Sequence, residues 1–167
     1  ATVYFKCENQ QHIGAFKFRG AYNAISRLPS EQKSLGVIAY SSGNHAQAVA
    51  KVCQMLKIQA TIIMPNNAPK IKRAATESYG ANVIEYNPEH ESREQVTEKV
   101  NSDQLLSLIP PFNHPHIIAG QGTAALELIQ QQPKLEQLLV PCGGGGLLSG
   151  SALAIKGTNP DCRVIGV

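Results

Sequence analysis

Residues 141–150 read Pro141-Cys142-Gly143-Gly144-Gly145-Gly146-Leu147-Leu148-Ser149-Gly150. Four consecutive glycines are costly, because each one ordered in place of an alanine loses about 0.5–1 kcal/mol. The run follows an apolar, strand-like stretch, Leu138-Leu139-Val140, and precedes a helix-like one running from Leu147 to Lys156. A bare turn between a strand and a helix N-terminus offers several backbone N–H groups to an anion, and the helix dipole adds to the attraction. A phosphate cradle is the first reading. A close-packed turn or a flexible linker is the plainer one, and the loop alone leaves both open. The Lys-Ser/Thr pair that closes a nucleotide P-loop is missing. A dinucleotide fingerprint belongs in the first strand-to-helix turn of its fold, whereas this run lies near the end of the chain.

The same strand–turn–helix pattern repeats outward from this run. Strands are expected at 3–5, 37–40, 60–64, 82–86, 105–108, 137–140 and 163–167. Helices are expected near 17–28, 44–57, 69–79, 91–101, 117–131 and 147–157. Such alternation means βαβ units, hence an α/β fold of open parallel sheets with helices on both faces. Pro65, Pro69, Pro88, Pro110 and Pro111 fall between elements, where proline is tolerated. The chain starts on an expected strand and stops inside another. A buried parallel sheet left uncovered there would expose apolar surface, so a piece of a longer protein is expected.

Composition narrows the class. The 167 residues are 43% hydrophobic, enough to bury a sizeable core. The net charge of +3 comes from 15 basic and 12 acidic residues spread along the chain. The densest basic cluster, Lys70, Lys72 and Arg73, has no interleaved aromatics and reads as a solvated helix face, which argues against nucleic-acid binding. Cys7, Cys53, Cys142 and Cys162 are far apart, as in a reduced cytoplasmic protein, and suggest neither a disulfide framework nor a metal site. No signal peptide is evident, and no apolar run reaches the ~18 residues of a membrane helix.

Two further turns carry reactive groups. In Gly14-Ala15-Phe16-Lys17-Phe18-Arg19-Gly20-Ala21-Tyr22-Asn23, one lysine sits between aromatics where a loop enters a helix. A helix N-terminus, the nearby Arg19 and apolar flanks all disfavour the ammonium form and favour the free amine that a Schiff base needs. The plainer alternative is a surface lysine on an amphipathic helix. In Tyr40-Ser41-Ser42-Gly43-Asn44-His45-Ala46-Gln47, small residues leave room for a ligand and first-turn N–H groups suit a carboxylate. Asn44 both donates and accepts, and so suits a phenolate or carbonyl oxygen. An N-capping serine with an incidental histidine is the plainer reading there.

Together, 14–20, 41–47, 110–123 with Ala119-Gly120-Gln121-Gly122-Thr123, and 143–150 resemble the fold-type II pyridoxal-phosphate enzymes. The branch they resemble is that of serine/threonine dehydratases and serine racemases. Ala-Phe-Lys-Phe-Arg-Gly at 15–20 and Pro-Pro-Phe-Asn-His-Pro-His at 110–116 are most similar to the microbial serine racemase and hydroxyaspartate dehydratase group. The resemblance implies that Lys17 carries pyridoxal 5'-phosphate and acts as an acid/base group. It gives Asn44 the ring oxygen of the cofactor, and Gly143, Gly144, Gly145, Gly146 and the Leu147 backbone the phosphate. Ser42 matches the hydroxyl that exchanges a proton on the opposite face. Ser41, Ser42, Asn44 and His45 match the seat of the substrate carboxylate, and Arg93 a helix arginine that reaches the substrate on closure.

Departures from the branch are Ala15, where many relatives have serine, and Phe112, where some racemases have asparagine. Gln47 and Tyr79 fit a nucleotide effector pattern, but His12 replaces a basic residue, so effector binding is not expected. The implied activity is deamination of L-serine, L-threonine or a 3-hydroxy amino acid to a 2-oxo acid and ammonia, with serine racemisation as a companion outcome. Cysteine synthase-like β-replacement and a non-catalytic small-molecule-binding piece of the fold are the alternatives. The resemblance also implies a small domain at 38–113, a large domain from 1–37 and 114–167, and a cytoplasmic homodimer. The contact to the cofactor's ring nitrogen and the ligands of a divalent cation (Mg) would lie beyond Val167, with no metal site in this chain.

Overall fold

The computed structural model describes residues 2–167. A four-stranded parallel sheet has the order β3-β2-β1-β4, with β1 at Val37–Tyr40, β2 at Ala60–Pro65, β3 at Asn82–Tyr86 and β4 at Ser107–Leu108. Alternation along its strands sorts the core into two layers. Val37, Ala39, Ile62 and Met64 pack with helices α1 (Lys17–Ser26) and α3 (Asn44–Leu56). Ile38 and Ile63 face Val96 of α5 (Arg93–Asn101) on the other side. Helices therefore cover both faces, as the near-continuous apolar strands require.

A second parallel pair joins β5 (Gln137–Val140) to β6 (Arg163–Gly166). Leu138 and Val164 pack with Ala125 and Ile129 of α6 (Pro115–Gln131) and Ile155 of α7 (Gly146–Thr158). Their neighbours Leu139 and Ile165 point the other way and are exposed. Among the described residues this pair has helices on one face only, unlike the two-faced cover expected.

Local rules set the boundaries. The helix expected at 17–28 ends at Ser26; Pro29 follows, and a short α2 (Ser30–Leu35), absent from the sequence reading, begins after it. Helix α5 starts two residues late because Ser92 and Gln95 form a reciprocal capping box. Helix α6 starts two residues early, with Pro115 in its first turn and His114 capping the His116 N–H. The expected strand at 105–108 shrinks to Ser107–Leu108, because Leu105 takes a left-handed φ of 52°. The expected strand at 3–5 does not form. No neighbouring strand pairs with it, and Val3 and Phe5 are exposed. This segment instead lines an apolar groove of about 920 Å³ beside β5, which Lys17, Ser42 and Asn44 do not line.

Helices α1, α6 and α7 cross at backbone contact, which explains the Gly-x-Gly of 120–122. A Cβ on Gly120 would lie 2.5 Å from the Arg19 carbonyl, and one on Gly122 the same distance from that of Gly150. Gln121 between them is buried, and its Oε1 accepts the Gly20 N–H at 3.1 Å. The N-termini of α1 and α7, which carry Lys17 and the glycine run, are thereby fixed to one helix.

Candidate active site

Lys17 is the first residue of α1, and its Nζ donates to the Pro111 carbonyl at 2.5 Å. Burial holds its amine below the ordinary lysine range. The anticipated help from Arg19 is absent. That guanidinium is paired on both sides, with Glu8 and with Glu127 at 2.8 Å, and also donates to Thr123. Glu127 in turn accepts from Lys6 at 2.8 Å, and the Arg19 bond holds its carboxyl down at about 2. The network ties the N-terminal segment to α1 and α6. Sequence reading missed it because its members are spaced 11 and 108 residues apart.

The Ser41–Asn44 turn leaves the C-terminal end of β1. Ser41 Oγ accepts the Gly43 N–H at 3.1 Å, so that hydroxyl shapes the turn while the Ser42 hydroxyl is left uncommitted among the described residues. Gly43 caps α3 with no side-chain bond, and no acidic residue stands in the first turn. Asn44 is exposed at its start. His45 is only 3% exposed, and its Nε2 pairs with the Ile109 carbonyl at 2.9 Å. A carbonyl only accepts, so Nε2 carries the proton. Burial pushes the imidazole down to about 4, against the Ile109 bond and with help from the Lys17 charge. The neutral ring leaves Nδ1 buried and without a partner. The His45 side chain is thus committed to Ile109.

The glycine run opens α7. Gly145 takes a left-handed φ of 82° as its N-cap, with no side-chain bond and no acidic residue in the first turn. Cβ atoms on Gly143 and Gly145 would meet nothing within 4 Å, whereas one on Gly144 would enter the Phe112 ring. The orphan N–H groups at this helix start are what a phosphate dianion accepts from.

Segment 109–112 therefore touches every part of the site: Ile109 holds His45, Pro111 holds Lys17, and Phe112 backs Gly144 and Gly146. Arg93 stands apart from this cluster, its guanidinium over the Tyr40 ring at 4.8 Å and its Nε on Glu94 at 2.7 Å. Tyr40 is the residue before Ser41. The basic cluster at 70–73 is not the uniform solvated face expected: Arg73 pairs with Glu77 and Glu85, but Lys72 is half-buried and its Nζ approaches Gly43.

A half-buried amine at one helix start and an uncapped glycine turn at another fit an aldehyde-bearing phosphate cofactor. The family model described as "Pyridoxal-phosphate dependent enzyme" matches residues 1–167. The chain belongs to that family. It is 54% identical over its whole length to an L-threo-3-hydroxyaspartate ammonia-lyase of Saccharomyces cerevisiae, covering 51% of that protein. It is 53% identical to a serine racemase of Schizosaccharomyces pombe, covering 52% of it. The structure of serine racemase from Dictyostelium discoideum superposes with a TM-score of 0.94 at 43% identity, over 98% of this chain and 53% of that one. These relatives are of the branch that the sequence resembles, and the chain spans about half the length of the curated relatives it matches. Among the described residues no helix is long and apolar enough to cross a membrane, and no group of three His, Cys, Asp or Glu side chains could hold a metal.

Proposed function

We propose that the full-length protein uses pyridoxal 5'-phosphate to convert L-serine, L-threonine or a 3-hydroxy amino acid to a 2-oxo acid and ammonia, and racemises serine at the same site. The observation that carries this reading is the convergence of the Lys17 amine and the starts of α3 and α7 on segment 109–112. The names of the relatives, hydroxyaspartate ammonia-lyase and serine racemase, agree with it.

When bound, the cofactor supplies the electron sink that lets the α-proton leave. The residues of this chain decide which product forms. N–H groups of Gly143 to Leu147 hold the phosphate, and Asn44 meets the ring oxygen. The N–H groups of Ser42, Asn44 and His45 seat the substrate carboxylate on the turn that the Ser41 side chain shapes, and Arg93 approaches from α5. Lys17 Nζ takes the α-proton from one side. Loss of the β-hydroxyl with a proton, as water, leaves an unsaturated amine, which takes up water and releases ammonia to give the 2-oxo acid. A proton returned by Ser42 Oγ from the other side instead inverts the α-carbon. We place the catalytic cleft between a small domain, 38–113, and a large one, 1–37 with 114–167, whose closure would exclude water. We assign the protein to the cytoplasm, in line with its four free cysteines, and propose a homodimer. Any divalent cation used by the full-length protein would be held by residues outside 1–167.

Cofactor added to the full-length protein should give a visible absorption band that Lys17→Ala abolishes, together with a rate loss of about 10²–10⁴-fold or more. A band that survives Lys17→Ala would overturn the assignment.

A further inference from the structure

Helix α4 (Lys70–Ser78) begins with Lys70-Ile71-Lys72 and has no acidic residue in its first turn. A cation there faces the positive end of the helix dipole. The neighbouring Arg73 satisfies itself with Glu77 and Glu85 on the outer surface. Lys72 does not. Its side chain is half-buried, and its ammonium makes no ion pair or hydrogen bond with another described residue. It lies 3.8 Å from the position that a Cβ on Gly43 would occupy. Gly43 is the cap of α3, whose own first turn carries no acid either. An ammonium that makes no ion pair among the described residues thus lies beside the positive end of α3, and the first turns of α3 and α4 supply no carboxylate to balance it. That arrangement suits an anion.

We infer that Lys72 is a further substrate-binding residue, whose ammonium reaches from α4 to the Ser41–Asn44 turn and completes the seat for the α-carboxylate of the amino-acid substrate. This assignment rests on the function proposed above. The phosphate has its own cradle at the start of α7, so the anion at α3 is that of the substrate. The absence of a side chain at residue 43 keeps the path from Nζ to the turn open; a larger residue would stand between them. A charge-assisted hydrogen bond made by an otherwise unpaired ammonium is among the stronger contacts available to a carboxylate.

The test uses the full-length protein with cofactor and compares glycine, which has the carboxylate but no β-hydroxyl to lose, with methylamine, which lacks both. By calorimetric titration, Lys72→Met should weaken glycine about 10- to 100-fold and leave methylamine unchanged. Lys72→Arg should restore glycine to within about threefold of the starting value. Acetate titrated into the same proteins stripped of cofactor should weaken by a similar factor, so the carboxylate term is read even if the cofactor assignment fails. Wild-type affinity for glycine and acetate in Lys72→Met would overturn the inference. So would equal weakening of glycine and methylamine, which would make Lys72 a structural contact. Loss of the cofactor band in the unaltered protein would instead overturn the proposed function.

Discussion

Helices α3 and α7 both begin at a glycine with no side-chain cap and no acid in the first turn, yet the two turns are built by opposite means. The Ser41–Asn44 turn is defined by side chains: Ser41 folds it, His45 anchors it to Ile109, and Lys72 approaches it from α4. The Gly143–Gly146 turn has no side chains of its own and is shaped from outside by Phe112. A carboxylate on a substrate that must come and go needs directional groups and a nearby charge. A phosphate that stays needs close backbone and many N–H groups. Deleting side chains should therefore harm the first turn, and adding them the second.

The largest effect expected from that contrast is at Ser42. Ser42→Ala should lower serine racemisation about 10²–10⁴-fold while lowering dehydration of L-serine less than about tenfold, measured as enantiomer and 2-oxo acid from one reaction. Equal loss of both would remove the hydroxyl from its proposed place in the chemistry.

Next comes the buried His45. Its folded value of about 4 lies below the ordinary 6.5, so the unfolded chain binds more protons between those values. Stability from this group is complete above about pH 6.5 and is lost as pH falls towards 4, by up to about 3 kcal/mol. Urea titrations at pH 7.5 and 4.5 should show that His45→Gln flattens this part of the pH dependence; an unchanged slope would mean the ring is not buried neutral.

The smallest effect compares glycines. Gly144→Ala drives a methyl into the Phe112 ring and should weaken cofactor binding about tenfold, within the usual ~1–3 kcal/mol range for overpacking. Adding Phe112→Ala should recover most of that loss. Gly43→Ala, whose methyl would meet Lys72 Nζ at an ordinary 3.8 Å, should leave cofactor binding within about threefold. Equal losses at Gly144 and Gly43 would erase the distinction between the turns.

Much of this was legible in the chain. Apolar runs such as Val37–Tyr40 and Gln137–Val140, each followed by a small-residue turn and a helix, announce βαβ units because period and punctuation change together. What was not legible depends on distance in space. The 3–5 run has strand-like composition, but a strand exists only where a partner offers its ladder, and none does. Lys72 and Arg73 look alike in sequence; only the fold turns one towards Gly43 and the other towards two glutamates. The Arg19 network was hidden for the same reason, and with it the fact that Lys17 owes its lowered basicity to burial.

Segment 109–112 has a consequence for anyone recombining this protein with its relatives. Two consecutive prolines fix its backbone, so it behaves as a rigid template and offers no slack to absorb a change of length. One residue inserted there would shift the register of Ile109 against His45, of Pro111 against Lys17 and of Phe112 against Gly144 all at once. In a chimera the template has to travel with all three of its partners, which makes it a poor place for a crossover.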